Sequence, residues 1–347
     1  MATKPPVEVP QGAIRLNTDS QKLEFFAQDQ WWQMVTDVQG DALNGGTRGV
    51  FMGGSNEPDP SSTYDIIDYV TIPTQGNAVD FGNLTSARQE GGALGSRQRG
   101  IHFGGDPAMN TIEYITFAST GNAVDFGDLS QDESKHGIGT SNNTRGVMAH
   151  GWATPARVNS MEYITIATTG NGVNFGDTST QTYDGAGMSS PTRGVMALGS
   201  DSGGTPYLNT MEYITIATTG NAQDFGDMVA GNLVSRTGYS SSTRGILHGG
   251  YQYPASPNHS NNIEYITIAT LGNATDFGDS THCGYGSGSS SQVRGVQGGG
   301  YSNSSPHPIV PTIDFTTIAT TGNAADFGDL TQKRRHTQGA SNGHGGL

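Results

Sequence analysis

Apolar residues in this chain recur at every second position in runs of four to eight, and Gly, Asn, Asp and Ser separate the runs. That pattern predicts short strands joined by tight turns. In MEYITIAT, alternation puts Ile214 and Ile216 on one face of the pleat and Met211, Tyr213, Thr215 and Ala217 on the other. Neither face is suited to water, so the strand is expected to be covered on both. No segment sustains a 3.6-residue apolar period, and helix should be scarce.

The pattern repeats. MEYITIATTGNAQDFGD at 211–227 recurs as MEYITIATTGNGVNFGD at 161–177 and IEYITIATLGNATDFGD at 263–279, with looser copies from Ile67, Ile112 and Ile313. An Arg-Gly-apolar segment precedes each copy, at Arg48, Arg99, Arg145, Arg193, Arg244 and Arg294. These arginines span 246 residues in five steps, a period close to 49. Each unit reads as four strands: RGVMALG, MEYITIAT, the segment around Phe225, and a stretch such as GAGMSS.

One such sheet cannot bury both of its faces. Radial stacking of like sheets covers them all, and this is the β-propeller arrangement. The double glycines Gly53–Gly54, Gly104–Gly105, Gly249–Gly250 and Gly298–Gly299, with the period, resemble kelch repeats. The later Tyr and Trp of the kelch unit are missing, since the three tryptophans are Trp31, Trp32 and Trp152. The expected fold is thus an all-β, kelch-like propeller over residues 41–347, with a solenoid as the structural rival. Six blades are expected. Seven is the alternative, because GASNGHGGL at the C-terminal end reads like the opening of another unit and the N-terminal strands could complete it.

Composition narrows the function. With 17 basic against 31 acidic residues the net charge is −14, which disfavours nucleic acid and anionic membranes. No apolar run approaches about 18 residues, so membrane insertion is not expected. The single cysteine, Cys283, excludes an internal disulfide framework. The opening MATKPPVEVPQG has no apolar signal core, so a role outside the cell would be reached by another route, such as release in an assembled particle.

The repeated residues read as structural. Phe81, Phe126, Phe175, Phe225, Phe277 and Phe327 share one repeat position and are expected to pack between neighbouring blades. The acids of DFGD suit turn capping better than calcium, because Asn83 and Asn174 interrupt them and too few oxygen ligands follow in sequence. Each repeat arginine is expected to hold an Asp or a backbone carbonyl of its own or the adjacent blade, with an anion-binding ring as the alternative. His102, His150 and His248 fall in Arg-Gly strands, expected to line a central channel as spacers. Neither a zinc-type histidine spacing nor a nucleophile elbow nor a phosphate loop is found, so neither catalytic residues nor a cofactor or metal are assigned.

Binding is expected on the variable loops that follow the Arg-Gly strands, which should emerge on one rim. Their aromatics Trp152, Tyr207, Tyr251, Tyr253 and Tyr301 lie among Ser, Asn and His, a mixture suited to sugars or a protein surface, or to simply covering the rim.

Residues 1–40 differ from the repeats: an extended arm, then a small β-module over GAIRLNTDSQKLEFFAQDQWWQMV. Phe25, Phe26, Trp31, Trp32, Met34 and Val35 make it too apolar to stand alone, and attachment to a partner is expected. The G-x-I-R-x-N-T-D and K-L-E-F-F words resemble a short module of tail-fibre and other virion proteins of bacteriophages. The TRGV and IEYITIATTGNAxDFGDLT words resemble repeats in structural proteins of tailed phages, including those of marine cyanobacteria. The resemblance implies a virion component on the tail, a fibre or a surface appendage, assembled in the host cytoplasm. Residues 1–40 would bind other virion proteins, and the propeller would meet a host cell-surface glycan or protein, with homo-oligomers possible in principle. A free-standing lectin is the alternative, and a polysaccharide hydrolase the more distant one.

Overall fold

The computed structural model describes residues 9–10, 12–17, 22–33, 47–56, 62–131, 135–153, 156–201, 208–231, 233–252 and 259–347. Among them all regular structure is β-strand, and every ladder is antiparallel. The chain forms two compact units, Met1–Ala42 and Leu43–Leu347.

In the first unit, Ile14–Asn17, Lys22–Ala27 and Gln30–Gln33 make a three-stranded meander. Its register sets Phe26 opposite Trp31 and Phe25 opposite Trp32, so alternation sends the two aromatic pairs to opposite faces. Phe26 and Trp31 meet edge to face at 5.3 Å, and the Arg15 guanidinium lies 4.0 Å from the centre of the Trp31 ring. The other face leaves Ile14, Leu16, Phe25 and Trp32 exposed by 64, 60, 37 and 47%. Met34 and Val35 lie outside the described residues.

The second unit contains six sheets built on one plan. Sheet two orders Gly92–Gly95, Arg99–Phe103, Thr111–Thr116 and Val124–Asp128. Sheets three to six repeat this order from Ile138–Ser141, Ala186–Ser189, Thr237–Ser240 and Ser287–Ser290. Sheet one takes its Gly/Ser strand from the far end of the chain: Gln338–Ser341 pairs with Arg48–Met52, which pairs onward to Ile66–Thr71 and Val79–Asn83. The stretch that reads in sequence as a seventh opening therefore completes the first sheet.

The Gly/Ser strand is the edge strand, and the Arg-Gly strand is flanked by partners on both sides. This corrects the expectation that Arg-Gly strands line a channel. His102 and His248 lie in their Arg-Gly strands and His150 just past the end of its own, and each is about 1% exposed or less.

Sheets pack in sequence order, and sheet six packs back onto sheet one. Phe225 of sheet four joins Ile266, Ile268 and Ala274 of sheet five in one apolar cluster, and Phe327 of sheet six joins Val70, Ile72 and Ala78 of sheet one in another. Each repeat phenylalanine is about 2–3% exposed, burial that stabilises by roughly 2–3 kcal/mol per side chain. Along the long strand of sheet four, Glu212, Ile214 and Ile216 are buried. The opposite face grades from buried Met211 to exposed Thr215, so the second face is covered only at one end.

Each repeat arginine reaches a carbonyl of the next sheet: Arg48 Nη1 to Phe117 O at 2.6 Å, Arg99 to Ile166 at 2.9 Å, Arg193 to Ile268 at 2.7 Å and Arg244 to Ile318 at 2.9 Å. Arg145 binds the carbonyls of Ile216 and Ala217, and Arg294 of sheet six returns to Ile72 of sheet one at 3.0 Å. Every one of these guanidiniums also sits 4.3–5.0 Å from the centre of an aromatic ring of its own sheet, such as Tyr163 or Tyr213.

The GNA turn docks on the preceding sheet's DFGD strand. Gly170 N donates to Phe126 O, and Asn171 Oδ1 accepts from Asp128 N. Gly127, at φ +151°, leaves no room here, since a Cβ would strike the Gly170 carbonyl. The same latch ties Gly76 and Asn77 of sheet one to Phe327 and Asp329 of sheet six. Side chains such as Asp80 and Asp125 point to solvent.

Candidate functional site

The register of each sheet fixes which loops share an end. The first residue of each Gly/Ser strand pairs with the fifth residue of its Arg-Gly strand, as in Gly92 with Phe103 and Ala186 with Ala197, and in five of the six sheets that residue is the strand's last. The variable loops after the Arg-Gly strands therefore emerge beside the loops that lead into the Gly/Ser strands. Short bridges pin the two together, among them Gln89–Asp106, Lys135–Trp152, Tyr183–Ser200 and Cys283–Tyr301.

A buried acid of the next sheet holds each incoming loop. Glu113 accepts from Thr85 N at 2.8 Å, Glu162 from Ser130 N at 3.1 Å and Glu212 from Ser179 N at 3.1 Å. Glu264 accepts from Ala230 N at 2.8 Å, Asp314 from Thr281 N at 2.8 Å and Asp68 from Thr331 N at 3.0 Å. Buried cations accompany several of them: Arg88 reaches Glu113 at 2.8 Å and Arg334 reaches Asp68 at 2.9 Å, all four side chains being 0% exposed. Removing one partner of such a pair typically costs about 3–5 kcal/mol, because the other charge is left uncompensated.

Two residues before each Gly/Ser strand the backbone turns left-handed, at Glu90, His136, Asp184, Ser235, Tyr285 and His336, with φ between 53° and 64°. This conformation is uncommon for residues other than glycine. Backbone hydrogen bonds hold it: Glu90 N donates to His336 O, His136 N to Glu90 O, Ser235 N to Asp184 O, Tyr285 N to Ser235 O, and His336 N to Tyr285 O. All six residues border a cavity of about 140 Å³ that is walled by the Gly/Ser strands of all six sheets. That volume far exceeds the roughly 10–15 Å³ needed for one water. At the other end of these strands, His344 Nε2 lies 2.9 Å from Gly95 O and Gly345 N donates to Ser240 O, so the chain's last residues cross that end.

The six side chains are coupled. His136 Nε2 lies 3.0 Å from Glu90 Oε2, and its Nδ1 contacts Asp184. Burial pushes the His136 imidazole down, but the neighbouring Asp184 and Glu90 carboxylates outweigh it and hold the pKa up at about 10. Burial pushes Glu90 up, yet the hydrogen bond and charge of His136, with His336 and Lys135, bring it down to about 2. Asp184 is likewise lowered by His136 against its burial. His336 is pushed down to about 4, chiefly by burial. At neutral pH the mouth thus presents one imidazolium, two carboxylates and one neutral imidazole.

Aromatic faces surround this charge. The His136 ring meets Tyr183 at 5.1 Å, and Arg157 lies 4.0 Å from the centre of the Tyr183 ring. Trp152, Lys135, Arg157 and Tyr183 share a second hollow with Glu90 and His136. Tyr285 contacts Tyr251 at 5.9 Å and Tyr301 at 5.4 Å. Three sequence-predicted rim residues, Trp152, Tyr251 and Tyr301, therefore gather at this mouth. Tyr207 and Tyr253 lie outside the described residues. The repeat arginines sit at the opposite ends of their strands, where Arg193 pairs with Thr215. Sequence reasoning missed the left-handed residues. Their signal is a single repeat column, two residues before GALG, IGTS and AGMS, where chemistry changes from unit to unit.

Among the described residues no helix is long and apolar enough to cross a membrane. Neither a protein-family model nor a curated protein matches the chain.

Proposed function

We propose that Leu43–Leu347 is a six-bladed β-propeller, kelch-like in architecture, that works as a non-enzymatic recognition module of a tailed-phage virion. Its ligand is a polar host-surface group, a glycan first, taken at the mouth formed by Glu90, His136, Asp184, Ser235, Tyr285 and His336. One observation carries the reading. At a single repeat position six backbones adopt the same conformation but present five kinds of side chain to one cavity. Repetition would make that position uniform if its role were only to build the sheet.

The propeller assignment is supported by the contact order of the sheets, which returns from six to one through Arg294 and Ile72. The recognition assignment is supported by donors, acceptors and aromatic faces at one place, since sugars combine hydroxyl groups with apolar ring faces. A binding role fits better than hydrolysis. Glycoside cleavage needs one carboxyl kept protonated near neutral pH, whereas Glu90 and Asp184 are both held below their ordinary values. The virion role rests on the resemblance of the repeat words to phage structural proteins, and the exposed face of Ile14, Leu16, Phe25 and Trp32 supplies an attachment surface for it.

The test is binding of the purified chain to a glycan array and to host cells. Wild-type protein should bind, and Tyr285→Ala should weaken binding at least tenfold while the second unit still unfolds cooperatively, with a melting temperature lowered by only a few degrees. Absence of wild-type binding to every glycan and cell surface would sink the recognition role. Particles assembled with a chain lacking residues 1–40 should not contain it. Normal incorporation of that truncated chain would refute the attachment role.

A further inference from the structure

Three residues far apart in sequence, His259, Cys283 and His307, bring Nδ1 or Nε2, Sγ and a second imidazole nitrogen within 4.8 Å of one another. Each is placed by different local structure. His259 pairs with Tyr251 at the end of a long hairpin, Cys283 pairs with Tyr301 in a two-residue ladder, and His307 occupies a left-handed turn at φ +58°. Cys283 is fully buried beneath the two partly exposed histidines, so the group is open on one side.

We propose that His259, Cys283 and His307 form a binding site for one Zn²⁺ ion, with a water as the fourth ligand on the open side. One thiolate and two imidazoles are a donor set for borderline-soft ions and not for calcium or magnesium. The His307 Nδ1 lies 2.9 Å from the Ser302 carbonyl. An N–H donated there leaves Nε2 free to ligate, the usual orienting arrangement of metal-bound histidine. His259 Nδ1 is buried with no hydrogen-bond partner among the described residues, a cost that a bound cation would remove. Zinc bonds of about 2.0–2.3 Å place tetrahedral ligands roughly 3.3–3.8 Å apart, so atoms already within 4.8 Å of one another need close by no more than about 1.5 Å on binding.

Cys283 loses its thiol proton to solvent when the Zn–S bond forms. Because a ligating thiol must be deprotonated, metal binding should release protons and tighten as pH rises. The ion would tie the Tyr251 loop to the Tyr301 loop independently of any ligand at the mouth.

The experiment titrates Co²⁺, then Zn²⁺, into the metal-stripped full chain. One equivalent of Co²⁺ should give a thiolate-to-cobalt charge-transfer band, which Zn²⁺ displaces. Cys283→Ser should abolish that band and weaken Zn²⁺ binding at least tenfold, and His307→Gln, on the turn, should weaken it similarly. If Cys283→Ser fails to fold, as judged by circular dichroism, His307→Gln alone decides. A missing band, or Zn²⁺ affinity unchanged in the folded variants, would overturn the site, since adventitious histidine binding survives both substitutions.

Discussion

Two columns of the repeat treat sixfold repetition in opposite ways. At the DFGD latch every unit places a phenylalanine in the seam to the next sheet and a glycine under the next turn. At the left-handed column before the Gly/Ser strand, one backbone geometry carries Glu90, His136, Asp184, Ser235, Tyr285 and His336. The latch faces the same neighbour in every unit, so one chemistry satisfies all six. The mouth faces a single shared space that six identical charges could not occupy without mutual repulsion. Uniformity marks what the sheets need from each other, and variety is confined to the side chains that border the shared cavity.

The comparison can be broken most severely at the seam between sheets six and one. Removing residues 338–347 takes away the Gly/Ser strand of sheet one, and the second unit should lose cooperative folding in a calorimetric melt. Phe225→Ala should cost about 3–5 kcal/mol in chemical denaturation, because Phe225 is 2% exposed in the seam to sheet five.

An intermediate effect is expected from pH. His136 is raised from 6.5 to about 10, so its stabilisation is complete below pH 6.5 and is lost as pH climbs toward 10. Glu90 is lowered from 4.5 to about 2, so its contribution is complete above pH 4.5 and fades as pH falls toward 2. Melting temperature measured across pH should plateau between these limbs. In His136→Gln the alkaline limb should flatten, and an unchanged limb would mean the imidazolium is not held there.

Smaller effects sharpen the contrast. Arg193→Gln removes one charge-assisted hydrogen bond to Ile268 O and the stacking over Tyr213, for a loss of about 1–2 kcal/mol. Tyr285→Ala removes the ring contacts to Tyr251, Tyr301 and His336 and should cost about 1–2 kcal/mol, while abolishing most ligand binding. A large destabilisation at Tyr285 would mean that the mouth is part of the framework.

The strands and the sixfold repeat were legible in the alternation of MEYITIAT and in the recurring arginine, but the Gly/Ser strand, read as the last of each unit, instead forms the edge of the next sheet. Periodicity reports faces and turns directly. It does not report which strand sits at the edge, and GAGMSS gave little sign that it would wall a cavity. The acid of I-E-Y shares a face with two isoleucines, so its burial against the preceding loop depends on the neighbouring sheet and not on its own strand. A left-handed backbone at a histidine or tyrosine is imposed by hydrogen bonds from the next unit, as from His336 N to Tyr285 O, and local propensity argues against it. His259, Cys283 and His307 come together only through three separate loops, so no spacing rule could find them.

An experimental structure of the full chain, by crystallography or electron cryomicroscopy, tests the central claim most directly at the Arg294 guanidinium. The account predicts that it rests on the Ile72 carbonyl, with Gln338–Ser341 paired to Arg48–Met52 and six sheets following one another around a common cavity. Sheets one and six far apart, with Arg294 in solvent and the C-terminal strand paired elsewhere, would contradict it.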